Sequence, residues 1–190
     1  GTVTDDNSGN FQYVSIRHGG ANIGEGNEIN GLTLGGVGSG TTISNIEIIA
    51  NQDDGVEVFG GTVNLSNFVL WNVGDDAVDT DQGWTGTLDN WIVINPGDEA
   101  CELDGPEGAA VTANFTLTNG TIKAEDGDGL VDNDDNTNVN MNNVYFFDLT
   151  MGQDFDQLPV DYTPVMSAFE CTLDTGVVAD YFKDGSDAFT

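Results

Sequence analysis

The residues best placed to do chemistry are paired acids that return at a nearly fixed interval. Asp53-Asp54-Gly55, Asp75-Asp76-Ala77 and Asp98-Glu99-Ala100 follow one another at spacings of 22 and 23 residues, and Glu57, Asp79 and Glu102 lie three positions beyond the pairs. Stacked in register, they form three columns: Asp53, Asp75 and Asp98; Asp54, Asp76 and Glu99; Glu57, Asp79 and Glu102. Carboxylates one strand spacing apart repel by about 1 kcal/mol in water and by about 3–4 kcal/mol at an effective dielectric of 20. Such an array needs diverging side chains, raised pKa values or bound cations. Ca2+ is the expected ion, because it accepts six to eight oxygens in loose geometry, backbone carbonyls included. Zinc and iron want His or Cys, and His18, Cys101 and Cys171 are too few. Neither Asp126-Gly127-Asp128-Gly129 nor Asp132-Asn133-Asp134-Asp135 completes an EF-hand loop. The competing reading is a solvated acidic edge that holds no specific ion.

The whole composition leans the same way. Thirty-three acids face three bases, Arg17, Lys123 and Lys183, for a formal charge of −30. No basic stripe exists to neutralise phosphates, which argues against nucleic acid and against anionic membranes. Cations, or a salty medium in which an anionic surface keeps the chain soluble, fit better. No stretch is long and apolar enough to cross a membrane, so no direct membrane insertion of this segment is expected. Gly1 opens inside a polar run, and the 190 residues read as one domain or a piece of one. A disulfide between Cys101 and Cys171 stays open; the alternation around Cys101 predicts a buried thiol.

The elements that position the acids come from a longer phrase of a small polar residue, Asn, a short apolar strand and a turn, repeated every 22 to 29 residues. A period of this size means stacked coils, none able to bury a core alone. Aligned on the Asn, one column reads Val14, Ile46, Phe68, Trp91, Gly120, Val144 and the next Ile16, Ile48, Leu70, Val93, Ile122, Phe146. Alternate residues share a face, so both columns are expected in the core. The Asn column itself (Asn45, Asn67, Asn90, Asn119, Asn143, with Tyr13 in the first coil) is expected as a structural ladder. Asn tolerates a left-handed bend, and stacked amides can hydrogen-bond along the stack. A second strand follows the acids in each coil. The fold class is therefore all-β, a right-handed parallel β-helix (solenoid) with an irregular C-terminal segment packing on it. Residues 1–149 form the coils; residues 150–190 form the final coil and a covering segment of the same domain. The outward stripe that includes Trp71, Ile94 and Phe147 is expected to lie under that segment, or to bind a partner. Trp84, after Asp79-Thr80-Asp81-Gln82-Gly83, falls in a turn beside acids, where an exposed ring would suit stacking on a sugar; the competing reading is a loop Trp folded back over the coil.

This pattern resembles right-handed parallel β-helices of the pectate-lyase type. It also resembles a family of predicted surface lipoproteins from Bacteroidetes, through Tyr13 to Gly20 (YVSIRHGG), Gly26 to Gly36 (GNEINGLTLGG), Ala50 to Gly61 (ANQDDGVEVFGG), Glu102 to Gly108 (ELDGPEG) and Gly152 to Pro159 (GQDFDQLP). That resemblance implies an extracellular, bacterial cell-surface location, further coils upstream and no particular activity. A second resemblance, to polygalacturonase-type glycoside hydrolases, rests on Asn51-Gln52-Asp53 followed by Asp75-Asp76, with Thr121-Ile122-Lys123 in the place of a basic tripeptide. It implies Asp76 as acid and Asp53 and Asp75 as bases of an inverting mechanism. The departures are large: no His stands near Gly97 to Gly105, Thr121 replaces Arg, and the acid pair recurs at Asp98-Glu99. The expectation is a non-catalytic, calcium-stabilised structural or adhesive module whose partner is a cell-surface protein or glycan. The alternative is a polysaccharide-cleaving enzyme using Asp53, Asp75 and Asp76.

Overall fold

A computed structural model describes residues 2–24, 28–106, 114–125, 127, 129–134, 136–155 and 165–189. Gly26, Asp126, Asp128, Asp135 and the ends of the ELDGPEG and GQDFDQLP segments lie outside them. In chain order the strands are β1 (Asn10–Arg17), β2 (Leu32–Gly35), β3 (Thr42–Ile49), β4 (Val56–Phe59), β5 (Leu65–Trp71), β6 (Val78–Asp81), β7 (Thr87–Ile94), β8 (Cys101–Leu103), β9 (Asn114–Lys123), β10 (Gly129–Asn133), β11 (Asn138–Phe147), β12 (Asp154–Phe155), β13 (Val165–Ser167) and β14 (Glu170–Cys171). A short helix α1 (Val178–Phe182) and a 3-10 turn over Lys183–Ala188 close the chain.

The chain winds as an all-β parallel solenoid. Odd-numbered strands pair in parallel in the order β1-β3-β5-β7-β9-β11-β13, with β14 also on β11, and even-numbered strands run β12-β10-β8-β6-β4-β2. The registers align Ile46 with Phe68, Phe68 with Trp91, Trp91 with Gly120 and Gly120 with Val144. All five are buried, as are Ile48, Leu70, Val93, Ile122 and Phe146 in the next column. Each fully buried aliphatic or aromatic side chain contributes about 1.5–3 kcal/mol, and the stack repeats that contribution coil after coil. Gly120 leaves room for its neighbour: a Cβ there would lie 2.4 Å from the Trp91 ring. Val14 and Ile16 are only half-buried because β1 is the outermost strand described.

Each of the six longest strands from β1 to β11 is bent at one left-handed residue, with φ of 57° at Tyr13, 57° at Asn45, 58° at Asn67, 58° at Asn90, 57° at Asn119 and 54° at Asn143. A second left-handed column closes the strands: His18, Ala50, Asn72, Asn95 and Asp148, with φ between 46° and 55°. This corner turns the chain into the acidic segment. The sequence hid it, because three residue types besides Asn occupy it.

The C-terminal segment sits elsewhere than the sequence suggested. It seals the end of the core instead of covering the outward stripe. Phe182 lies 5.0 Å from Phe146 and 5.7 Å from Phe155, and Phe189 lies 4.3 Å from Phe182, ring centre to ring centre. Of that stripe Trp71 stays 45% exposed and Ile94 and Phe147 are half-buried, while the neighbouring outward residues Ile92 and Tyr145 are 39% and 38% exposed. An uncovered coil end leaves core side chains such as Phe146 and Phe155 facing water, and the tail aromatics bury that surface at about 25 cal/mol per Å². Among the described residues no helix is long and apolar enough to cross a membrane.

Candidate metal centre

The acids occupy the turns after the second corner and the outer face of the even-numbered strands. Register sets Glu57 beside Asp79, Asp79 beside Glu102 and Glu102 beside Asp132. The turns stack through their backbones as well: the Gly55 N–H donates to Asp76 O at 2.8 Å and the Ala77 N–H to Glu99 O at 3.1 Å. Two acids hold the next coil directly. Asp54 Oδ1 accepts the Asp76 N–H at 3.2 Å, and Asp76 Oδ1 accepts the Glu99 N–H at 2.7 Å. Asn51 fixes the start of the turn by donating from Nδ2 to Asp54 O at 2.8 Å and Ile29 O at 3.0 Å.

Two triads of carboxyl oxygens emerge, Asp53/Asp54/Asp75 and Asp54/Glu57/Asp79, each within 4.8 Å of one another and sharing Asp54. Asp76, Asp98, Glu99 and Glu102 stand outside both. Asp76 instead hydrogen-bonds the side chains of Glu102 and Glu99. Glu28, which hydrogen-bonds Asp53, lies outside the repeat columns, and Asp81, Glu102, Asp132 and Asp134 gather around Asp104. The signal for Asp132 was its place beside Glu102 in the third column, obscured because it lies 30 residues on where the earlier steps are 22 and 23.

The electrostatics follow from burial without a counter-charge. Burial, reinforced by Asp53, Glu57 and Asp75, pushes the Asp54 carboxyl up to about 7. Burial and Asp134 do the same for Asp104, also to about 7. Burial lifts Asp76 and Asp79 further, above neutrality, with Glu102 pressing on the first and Asp54 and Glu57 on the second. Burial raises Asp53, Glu57, Asp75, Glu99 and Glu102 as well. The charged neighbours responsible are all acids. The ion pairs made by the three bases lie elsewhere: Arg17 with Glu47, Lys123 with Glu125 at 3.0 Å and Lys183 with Asp154 at 2.6 Å. Protons or cations from solution must therefore balance the ladder. Oxygen-only triads suit a hard cation in loose geometry. Zinc-type ligation finds no help: Cys101 is a free thiol inside the core, its pKa raised by burial, and Cys171 is free as well.

Trp84 is not a surface residue. It is 1% exposed, its Nε1 donates to Val63 O at 3.0 Å, and its ring centre lies 5.5 Å from that of Phe115. Two successive left-handed residues, Gln82 and Gly83 with φ of 56° and 73°, fold the loop back so that the indole fills the core. The Asn column forms amide-to-amide hydrogen bonds between coils: Asn67 Nδ2 donates to Asn45 Oδ1 at 3.2 Å, Asn90 to Asn67 at 2.6 Å and Asn143 to Asn119 at 2.6 Å. It breaks once, where Asn119 donates to Asp89 Oδ1 at 2.6 Å.

The comparisons with known proteins bear on the architecture. A family model described as a pectate-lyase like beta helix domain matches residues 1–172. The chain belongs to that family. No curated protein and no solved structure matches the sequence. The family places the acidic ladder on a β-helix scaffold and does not assign it a reaction. A hydrolase built on Asp76 meets a local obstacle, because that carboxyl is 5% exposed and bonded to the backbone of the next coil. The same arrangement at Asp54 marks it as a repeat feature. Lys123, of the tripeptide Thr121-Ile122-Lys123, is engaged by Asn95, Glu125 and Asp148.

Proposed function

We propose that the chain is a non-catalytic β-helix module, structural or adhesive, whose coils are tied together by Ca2+ at the acidic ladder. The carrying observation is the pair of carboxylate triads that share the buried Asp54, with only acids as charged neighbours. A cation there would replace repulsion between coils with shared ligation, and backbone carbonyls of the turns could complete the shell. A place on the bacterial cell surface goes with this reading. It rests on the likeness of YVSIRHGG, GNEINGLTLGG and ANQDDGVEVFGG to surface lipoproteins of Bacteroidetes, and on a charge of −30 that suits a solvent-facing scaffold. Partners would then be a neighbouring surface protein or a glycan.

The test is thermal unfolding in EDTA, then in millimolar Ca2+ or Mg2+. A ligand bound only by the native state adds RT ln(1 + [L]/Kd), about 2.7 kcal/mol at a hundredfold excess over Kd. Ca2+ is expected to raise Tm by several degrees and Mg2+ to do little. Asp54→Asn, which keeps an oxygen for the Asp76 N–H, is expected to remove most of the calcium increment. Equal Tm values in EDTA and Ca2+ would refute the reading and leave a solvated edge.

A further inference from the structure

We infer that the end of the Asn ladder is a binding site for a neutral sugar, on the odd-numbered sheet, away from the acidic ladder of the even-numbered one. This rests on the adhesive part of the reading above and is independent of calcium.

The register sets Asn142 beside Ser167 and Tyr145 beside Glu170, so the ladder position of the next coil falls to Ala168. Ala168 keeps the left-handed bend, with φ of 53°, but carries no amide. The ladder therefore stops at Asn143. Its Nδ2 is used on Asn119, and among the described residues nothing donates to its Oδ1. A groove of about 260 Å³ opens at this point, lined by Asn119, Thr121, Asn143, Tyr145 and Glu170 with the backbone at Gly120 and Val144. Tyr145 is 38% exposed and its ring is held from two sides: its hydroxyl bonds Thr172 Oγ1 at 2.7 Å, and it stacks on Phe147 at 5.7 Å with 12° between the planes. Holding the ring in advance lowers the entropy that binding must overcome.

These groups match a sugar ring in kind. The face of a tyrosine carries the negative side of its quadrupole and attracts the polarised C–H face of a pyranose. Asn143 Oδ1 and the Glu170 carboxylate accept hydrogen bonds from ring hydroxyls, and the Thr121 hydroxyl can donate or accept. The groove is smaller than the roughly 300–1,000 Å³ of sites for drug-sized ligands, so it would seat one ring and leave the rest of a chain along the strands. The charge of the molecule selects among sugars. Glu170 stands in the groove and the whole chain carries −30, which repels uronates and sulfated chains and leaves neutral ones.

The test is amide NMR of the whole chain titrated with neutral hexasaccharides of β-1,4-glucose, β-1,4-mannose, β-1,4-xylose and α-1,4-glucose, with hexagalacturonate as the anionic comparison. At least one neutral hexasaccharide is expected to shift Thr121, Asn143, Tyr145 and Glu170. Tyr145→Ala is expected to weaken binding by about tenfold or more while keeping a dispersed spectrum. Glu170→Gln, at an exposed strand position, is the second variant and should also weaken it. No shifts with any neutral sugar, shifts confined to other residues, binding unchanged in both variants, or binding of hexagalacturonate alone would each overturn the proposal. Each titration is run with Ca2+ and with EDTA. Calcium stabilisation without sugar binding would sink this site and spare the calcium reading; sugar binding at Tyr145 without calcium stabilisation would do the reverse.

Discussion

Thr80 shows how a repeat can hide a polar residue in its core. It sits between Val58 and Leu103 on the inner column and is 1% exposed, and its Oγ1 has no hydrogen-bond partner among the described residues. An unsatisfied buried hydroxyl costs about 1–3 kcal/mol. Thr80→Val keeps the shape and the β-branch while removing that cost, so it is expected to raise stability by about 1 kcal/mol, read as a higher urea midpoint at unchanged slope. A lower midpoint would mean that the hydroxyl holds an ordered water. Trp84 teaches the opposite lesson. The residues before it read as a turn whose ring is either exposed or folded back over the coil, and the backbone angles at Gln82 and Gly83 decide for the second. The Asn column was legible because one property, tolerance of the left-handed bend, explains its type and its spacing together. Its break at Asp89 and its end at Ala168 depend on which amide lies within reach, and sequence spacing does not carry that information.

At the scale of strands and turns, in-register parallel stacking made the core columns and the acidic columns readable. A fixed repeat and an alternation of two leave little freedom once one coil is aligned. What stayed hidden was the direction of each carboxyl: Asp54 and Asp76 turn inward to the next coil's backbone, while Asp53 and Asp75 close a triad. This geometry fixes an expected pH dependence. A carboxyl whose folded pKa is raised binds its proton more tightly in the native state than in the unfolded chain, where the value is near 4. The stability it contributes is complete below that unfolded value and is lost as pH rises through the folded one. Asp54 and Asp104, at about 7, place the fall between roughly pH 4 and pH 7, and Asp76 and Asp79 carry it above neutrality. In EDTA, Tm is therefore expected to decline from pH 5 to pH 8, against the trend of acid-labile proteins. Ca2+ should flatten that decline at the high end, where the ligands are ionised. A Tm that climbs over the same range in EDTA would show that the ladder carboxyls are ionised at no cost in the folded chain.

Across the whole molecule the two ends are built differently. At the β1 end, Phe11 and Tyr13 are 37% and 83% exposed, and an apolar groove opens among Leu32, Leu34, Val37 and Ile43. At the other end, Phe146, Phe155, Phe169, Phe182 and Phe189 form one aromatic cluster, completed by Tyr181 beside Phe182. In a solenoid each coil is stabilised chiefly by what packs on its two sides. On the far side of β11 and β12 that is α1 and the 3-10 turn, and Phe182, fully buried, is its centre. Phe182→Ala removes a ring that touches four of the others and should cost about 3–5 kcal/mol of local stability. The loss should stay local: hydrogen exchange is expected to speed up in β11, β13 and β14, with little change in β5 and β7, which are separated from the cap by intervening coils. Equal acceleration from β3 to β14 would mean that the coils open as one cooperative unit. In that case the cap secures the whole stack, and the carboxylate triads at β4 and β6, separated from β12 by β8 and β10, would feel the same mutation as a lower calcium-dependent Tm.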